Sequence, residues 1–243
     1  MLFIYSRIRK EDSTTPVVID SEDADVVVLS AYAASIIIGD LYIKRKKVIV
    51  KCKDLCPGNM AKVVVQLHVA TGCDTISSFY GIGKKTVWKR VMNNVEGQEL
   101  LSCLTDETLT KFIIKYVYND KNSNSLGEMR ATKWKKMKSK KAKSLARLGP
   151  DEDSNAQRNK RVLYQSNIFL NFQSPDSPPN PLDNGYCIHN GLCVPLMYTR
   201  PSLPKNLIAD ISFNNEYVND ENSDYSTDSG DTTDGDIDDS LDI

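Results

Sequence analysis

The part of the chain that decides the fold is Gly72-Cys73-Asp74-Thr75-Ile76-Ser77-Ser78-Phe79-Tyr80-Gly81-Ile82-Gly83-Lys84-Lys85. It puts one carboxylate, Asp74, a short distance before a turn that two glycines bracket and two lysines follow. Glycines let a backbone approach a phosphate closely, and the start of a helix offers free N–H groups. We therefore expect a helix-hairpin-helix that binds nucleic acid through Gly81, Gly83, Lys84 and Lys85. Its predicted parts are a short helix over Asp74–Tyr80, a turn over Gly81–Gly83 and a second helix over Lys84–Met92.

Two further carboxylates follow an apolar run near the start of the chain. Val17–Ile19 is predicted to be a short buried strand, and Asp23 and Asp25 lie at its carboxyl end, where open α/β sheets bind their ligands. With Asp74 from the distant segment they would give the oxygen ligands that suit Mg²⁺ or Mn²⁺. Two such ions can activate a water and stabilise the leaving oxygen of a phosphodiester. This pattern indicates metal-dependent cleavage of phosphodiesters.

The remaining pattern predicts an α/β fold with a C-terminal β-hairpin. A lone histidine, His68, lies beside the apolar stripe of one helix and is interpreted as a satisfied core or surface residue rather than a catalyst. The Asn190-Gly191 pair predicts a type I′ hairpin turn that sends Cys187 and Cys193 to opposite faces, which disfavours a disulfide or a zinc site there. The predicted elements are helices over Val26–Ala34, Asn59–Ala70, Thr105–Tyr118 and Asn159–Phe172, and hairpins over Ser35–Lys51, with a basic tip, and Gly185–Tyr198.

The composition indicates one folded core with a basic body and an acidic tail. The chain has 243 residues, of which 40% are hydrophobic. Residues 201–243 contain one lysine and twelve acidic residues, whereas residues 1–200 contain 30 basic and 20 acidic ones. A basic body suits a polyanion partner, and the acidic tail is read either as a competitor for that site or as a solubilising segment. No apolar run approaches the roughly 20 residues that span a bilayer, so we expect an intracellular protein without a membrane partner.

A lysine-rich segment over residues 130–147 has Trp134, Met137 and Leu145 interspersed. Three interpretations stay open for it: a solvated helix face, a nucleic-acid contact or a nuclear-import patch, the last of which implies a nuclear location.

At these residues the chain resembles the PIN-like flap endonuclease superfamily. Ser21–Val26 resembles its metal-binding Asp-x-Asp segment, Gly72–Asp74 its later metal aspartate, and Gly81–Lys85 its helix-turn-helix that grips duplex DNA. The run His68–Lys89 is similar to that of uncharacterised animal proteins associated with mobile elements. The resemblance implies a partial PIN-like three-layer core, Mg²⁺ or Mn²⁺ at Asp23, Asp25 and Asp74, and DNA rather than RNA as the partner.

The chain departs from that superfamily at its N-terminal side. Members bring further acids from an N-terminal half, whereas only sixteen residues precede Val17 here. The resemblance thus implies the C-terminal portion of a nuclease with an incomplete two-metal site. The expected segments are a lead-in (1–16), a partial nuclease core (17–120), a basic helix and linker (121–157), a C-terminal helix and β-hairpin (158–213), and a disordered acidic tail (214–243).

Three functions follow from these patterns. The first is a metal-dependent, structure-specific nuclease acting on DNA. The second is a non-catalytic nucleic-acid-binding remnant of such an enzyme, which would bind in a salt-sensitive way without turnover. The third is a structural or scaffold protein whose acids cap helices and whose lysines are solvated.

Overall fold

A computed structural model of the chain describes residues 15–56, 58–137, 145–171 and 179–200. The chain divides into two units, Met1–Thr199 and Arg200–Ile243, and the description below concerns the first. Its described residues form seven α-helices, a three-stranded sheet and a two-stranded hairpin, so the predicted α/β class is confirmed. None of the helices in these ranges is long and apolar enough to cross a membrane. Most of the predicted lead-in, most of the predicted connector 174–181 and all of the predicted disordered tail lie outside the described residues.

The three-stranded sheet has the order β1 (Val17–Asp20), β2 (Leu41–Arg45), β3 (Val48–Lys51). β1 pairs with β2 in parallel, and β2 pairs with β3 in antiparallel. The strand predicted over Val17–Ile19 is present, but its predicted burial is wrong, because among the described residues β1 pairs with a strand on one side only. Ile19 is buried while Val18 is 51% exposed.

Helix α1 (Ala24–Ile36) joins β1 to β2 and covers one face of the sheet. It includes the predicted helix Val26–Ala34 and continues to Ile36, so the first part of the segment predicted to be β-rich is helical. Alanines at its sheet-facing positions allow close packing, and Ala33 is fully buried. The turn between β2 and β3 is basic as predicted, with Lys46 at a φ of 51°.

Helix α2 (Met60–Thr71) forms the centre of the molecule. Eleven of its twelve residues are buried, because α1, α4 (Val95–Ser102) and α7 (Glu152–Leu170) all pack against it. The helix predicted over Asn59–Ala70 is confirmed, although its sequence predicted one buried stripe rather than burial on nearly all sides.

The segment after α2 contains no helix. Residues 72–83 form two tight turns, closed by isolated bridges between Cys73 and Ile76 and between Phe79 and Ile82. The helix predicted over Asp74–Tyr80 is therefore wrong. Cys73 and Ile76 exchange both of their backbone hydrogen bonds, at 3.0 Å each, and this reciprocal pair replaces the i to i+4 pattern of a helix.

The remaining helices surround α2. Helix α3 (Lys84–Val91) matches the predicted second helix of the motif, and α4 was not predicted. Helix α5 (Asp106–Phe112) has a capping box between Thr105 and Thr108 and runs on as a π-helical turn through Val117, which confirms the predicted helix up to one residue from its end. Helix α6 (Leu126–Met137) overlaps the first part of the lysine-rich segment 130–147.

Helix α7 begins at Glu152, seven residues before the predicted start at Asn159. Asp151 caps it by accepting the backbone N–H of Ser154 at 2.8 Å. The polar residues that obscured this start are structural: Asn155 is buried and donates from its side-chain amide to Thr110 Oγ1 at 3.0 Å.

The C-terminal hairpin pairs β4 (Tyr186–His189) with β5 (Leu192–Pro195). Its register, with Cys187 opposite Val194 and Ile188 opposite Cys193, is the predicted one. Positive φ angles of 50° and 76° at Asn190 and Gly191 fit the type I′ turn.

Candidate functional site

The predicted metal carboxylates Asp23 and Asp25 lie at the start of α1. Asp23 is the N-cap, and its carboxylate accepts the backbone N–H of Asp25 at 2.8 Å. This bond satisfies one of the free donors of the helix N-terminus. Asp23 therefore has a structural role that exists without a metal.

Asp25 belongs to a chain of three side chains from three helices. Its Oδ1 lies 2.6 Å from Nε2 of His68 on α2, and Nδ1 of the same ring lies 3.2 Å from Nζ of Lys84 on α3. An ammonium can only donate, so Nδ1 is the acceptor and Nε2–H donates to the carboxylate. The two partners thus select one neutral tautomer of a histidine that is 7% exposed.

The electrostatics of these three side chains favour a neutral imidazole at His68. Burial and then the charge of Lys84 lower the pKa of His68, while the hydrogen bond and charge of Asp25 and the charge of Asp74 act in the opposite direction. Desolvation of the ammonium lowers the pKa of Lys84, against the attraction of Asp25, Cys73 and Asp74. Asp25 and Asp74, which are far apart in sequence, thus act on the same two side chains.

Asp74 is exposed on the loop that follows α2. This loop begins at Gly72, whose φ of 116° is rare for any residue with a side chain. A Cβ at this position would lie 2.8 Å from the backbone Cα of Ser78. The glycine therefore permits the close return of the loop that presents Asp74.

A buried arginine from α7 holds the same loop. Arg158 donates from Nη2 to the carbonyl oxygens of Ala70, at 2.8 Å, and Ser77, at 2.9 Å. Its guanidinium carbon lies 4.1 Å from the centre of the Phe79 ring. Thr75 is tied to the same helix, since its hydroxyl donates to Gln165 Oε1 at 3.0 Å. The position of the Asp74 loop thus depends on α7.

The glycine turn leads directly into α3. Gly81 has a φ of 70° and Gly83 is the N-cap, which offers no capping side chain. A Cβ added at either glycine would meet no atom within 4 Å, so the backbone at this helix start is open. Lys84 and Lys85 are both exposed, and the ammonium of Lys84 also lies against His68.

A cleft of about 530 Å³ lies next to Lys84 and the loop that presents Asp74. It is lined by the Asp74 loop (72–78), by Lys84 and by Pro195 of the C-terminal hairpin. Arg161 of α7 positions that hairpin, because its Nη1 donates to the carbonyl oxygens of Gly185 and Leu196. Three distant parts of the chain therefore build one cleft.

The carboxylates do not form a prepared metal site in this arrangement. Among the described residues, no group of three or more His, Cys, Asp and Glu side chains is placed to hold a metal ion. Asp23 caps α1, and Asp25 is bonded to His68 with the cationic Lys84 on the other side of the ring. A metal at Oδ1 of Asp25 would have to replace the imidazole N–H, and a metal at this carboxylate would meet the repulsion of Lys84.

The structure thus brings together some of the predicted residues and adds others. Asp25 and Asp74 both act on His68 and Lys84, while Asp23 is engaged in its cap. His68 was interpreted as a satisfied residue, and its two partners agree with that, but its position at the centre of the site was not predicted. The one available signal was its place at the head of the run that carries the resemblance. No signal in the sequence marks Arg158, because its role depends on carbonyl groups that are about 80 positions away.

Comparison of the chain with protein-family models, with curated proteins and with solved structures found no match.

Proposed function

We propose that this chain is a nucleic-acid-binding protein that derives from the PIN-like flap endonuclease superfamily and holds the phosphate backbone at the glycine turn before α3. The observation that carries the proposal is the open backbone at Gly81 and Gly83, next to an uncapped helix start. N–H groups at such a start bind phosphate oxygens, and the helix dipole adds to the attraction. DNA is the expected partner.

The lysines of α3 divide into two roles. Lys85 and Lys89 are exposed and lie four residues apart, so they share one helix face next to the turn. Lys84, by contrast, has its ammonium bonded to His68. We therefore assign the contacts with phosphates to Lys85 and Lys89, and to Lys84 the role of fixing the helix start against α2.

The binding test is a titration of labelled duplex DNA followed by fluorescence anisotropy at several salt concentrations. The variant carries Lys85→Gln and Lys89→Gln, and the matched control carries Lys62→Gln and Lys160→Gln, which remove two exposed lysines on other helices. Each lost phosphate contact lowers the slope of log K against log salt by about 1. We expect the slope of the first variant to become less negative by about 2 and that of the control to remain unchanged. Equal slopes in all three proteins would refute the assignment.

A metal-dependent nuclease is the second candidate function. The observation that favours it is the convergence of Asp25 and Asp74 on His68 and Lys84. In this function Asp23, Asp25 and Asp74, which form no prepared site in the present arrangement, would have to come together to hold Mg²⁺ or Mn²⁺, which would supply an activated water and stabilise a leaving oxygen. Products that require the metal and disappear in both Asp25→Ala and Asp74→Ala would establish this function.

The lysine-rich segment 130–147 supports a nuclear location as part of the proposal. A fluorescent fusion that loses nuclear accumulation when the lysines of residues 135–143 become glutamine would agree with it. Unchanged accumulation would contradict it.

A further inference from the structure

We infer that Trp134 and the cationic side chains around it on α6 form a second nucleic-acid contact, which stacks an unpaired base of a single strand. The inference rests on the proposed function and extends it to a separate surface. It concerns the lysine-rich region for which the sequence leaves three interpretations open.

Helix α6 lies next to the helix that follows the glycine turn. Arg90 of α3 donates to the carbonyl oxygens of Tyr116, at 2.8 Å, and Val117, at 2.6 Å. Lys133 of α6 lies over the ring of the next residue, Tyr118, with its Nζ 4.4 Å from the ring centre. The Tyr116–Tyr118 segment therefore connects the two helices, and their cations belong to one surface.

The charges on this surface are close enough to act on each other. Desolvation lowers the pKa of Lys133, and the nearby charges of Lys136 and Arg90 lower it further, while Asp120 raises it. Asp120 is the acid that faces Lys133 and Lys136, and it offsets only part of their charge. With Arg90, Lys133 and Lys136 facing the single carboxylate of Asp120, the described surface is thus net positive and attracts a polyanion.

Trp134 makes this surface unlike an ordinary solvated helix face. Its side chain is 44% exposed, and Lys133 and Lys135 are its neighbours in the sequence of the helix. Tryptophan is buried to a large extent in most folded proteins, and interfaces are enriched in this residue. A solvated face or a nuclear-import patch requires the lysines but gives no reason for the indole.

A single strand explains both kinds of residue. An aromatic side chain stacks on an unpaired base, and the surrounding cations follow the phosphates. In a duplex the faces of the bases are already stacked on one another, so the indole would find no equivalent partner. The chemistry of the patch therefore selects an unpaired base over a paired one.

The test uses the fact that the chain has two tryptophans, Trp88 and Trp134. In a Trp88→Phe variant all tryptophan emission comes from Trp134. We expect an oligo(dT) strand to quench most of this emission and to leave the emission of a Trp134→Phe variant nearly unchanged. Stacking contributes about 1–3 kcal/mol per base, so Trp134→Ala should weaken the affinity for oligo(dT) by roughly 5- to 150-fold. Tyr198→Ala, which removes an exposed aromatic side chain of the C-terminal hairpin, should leave this affinity unchanged.

Duplex binding is measured on the same proteins, so that the two proposals fail separately. Retained duplex binding together with constant Trp134 emission at saturating oligo(dT) overturns this inference alone. Loss of affinity for oligo(dT) in Tyr198→Ala equal to that in Trp134→Ala also overturns it. If neither nucleic acid binds the unaltered chain, the proposed function and the inference both fall.

Discussion

Replacing Arg158 with methionine tests how the Asp74 loop is held in place. The side chain is 5% exposed and donates three hydrogen bonds, from Nη2 to the carbonyl oxygens of Ala70 and Ser77 and from Nε to that of Ser77. It also lies over the ring of Phe79. Methionine has a similar length and is apolar, so it fills the space but leaves two carbonyl groups without their donor.

The size of the effect follows from opposing contributions. A hydrogen bond from a charged donor contributes about 1.5–3 kcal/mol, and a desolvated cation–π contact about 2 kcal/mol. The desolvation of the guanidinium opposes these stabilising contributions, because its buried Nη1 has no hydrogen-bond partner among the described residues. Burial lowers the pKa of Arg158 to about 10, so the group is charged at neutral pH and the variant avoids this desolvation. We expect a net loss of about 2–4 kcal/mol in the free energy of unfolding.

The assay is urea unfolding followed by circular dichroism. Lys160→Met is the matched control, since it places the same side chain at an exposed position of the same helix and should change the free energy of unfolding by less than about 0.5 kcal/mol. Arg158→Lys should lose nearly as much as Arg158→Met, because one ammonium cannot reproduce the planar fork that reaches both carbonyl groups. If Arg158→Met unfolds within about 0.5 kcal/mol of the control, the hydrogen bonds do not hold the loop and the reasoning fails.

Two further predictions concern the residues around the same loop. Gly72→Ala should destabilise the fold by about 2 kcal/mol or more, because the new Cβ would lie 2.8 Å from the Ser78 backbone and φ is 116°. Gly83→Ala, with open space around the Cβ and a φ of −77°, should destabilise it by less than about 1 kcal/mol. Thermal unfolding measures both variants, and equal losses of stability would contradict the geometry. Burial and a neighbouring ammonium lower the pKa of His68 in the folded state, so below the unfolded pKa of about 6.5 the unfolded chain binds more protons and stability falls as the pH decreases. In His68→Gln the slope of stability between about pH 6.5 and 5 should become smaller, and an unchanged slope would show that other groups cause it.

The sequence predicts the parts of the fold that local patterns determine. The Asn190-Gly191 turn fixes the register of its hairpin through positive φ angles, and Thr105 caps the helix that follows it. The start of α7 was missed because its buried side chains are polar: Asn155 and Asn159 find partners on α5 and its N-terminal turn, which no local pattern indicates.

The candidate site shows the same division. The positions of Asp25, Asp74 and Lys84 could be proposed from their motifs, whereas the contact of His68 with two of them arises only when α1, α2 and α3 pack together. The helix predicted over Asp74–Tyr80 failed because Cys73 and Ile76 bond to each other. The donor that holds the Ser77 carbonyl of this loop, Arg158 of α7, is equally non-local.

Binding of nucleic acid at the glycine turn should not require a metal. To test this, 5′-labelled duplex, flap and single-stranded DNA are incubated with the chain and with Mg²⁺, Mn²⁺ or EDTA, and retention and cleavage are read on the same gels. We expect salt-sensitive retention that persists in EDTA, weakens in Lys85→Gln with Lys89→Gln and is unaffected by Asp74→Ala. Absence of retention at low salt would contradict it, and so would retention that requires the metal and the Asp74 carboxylate.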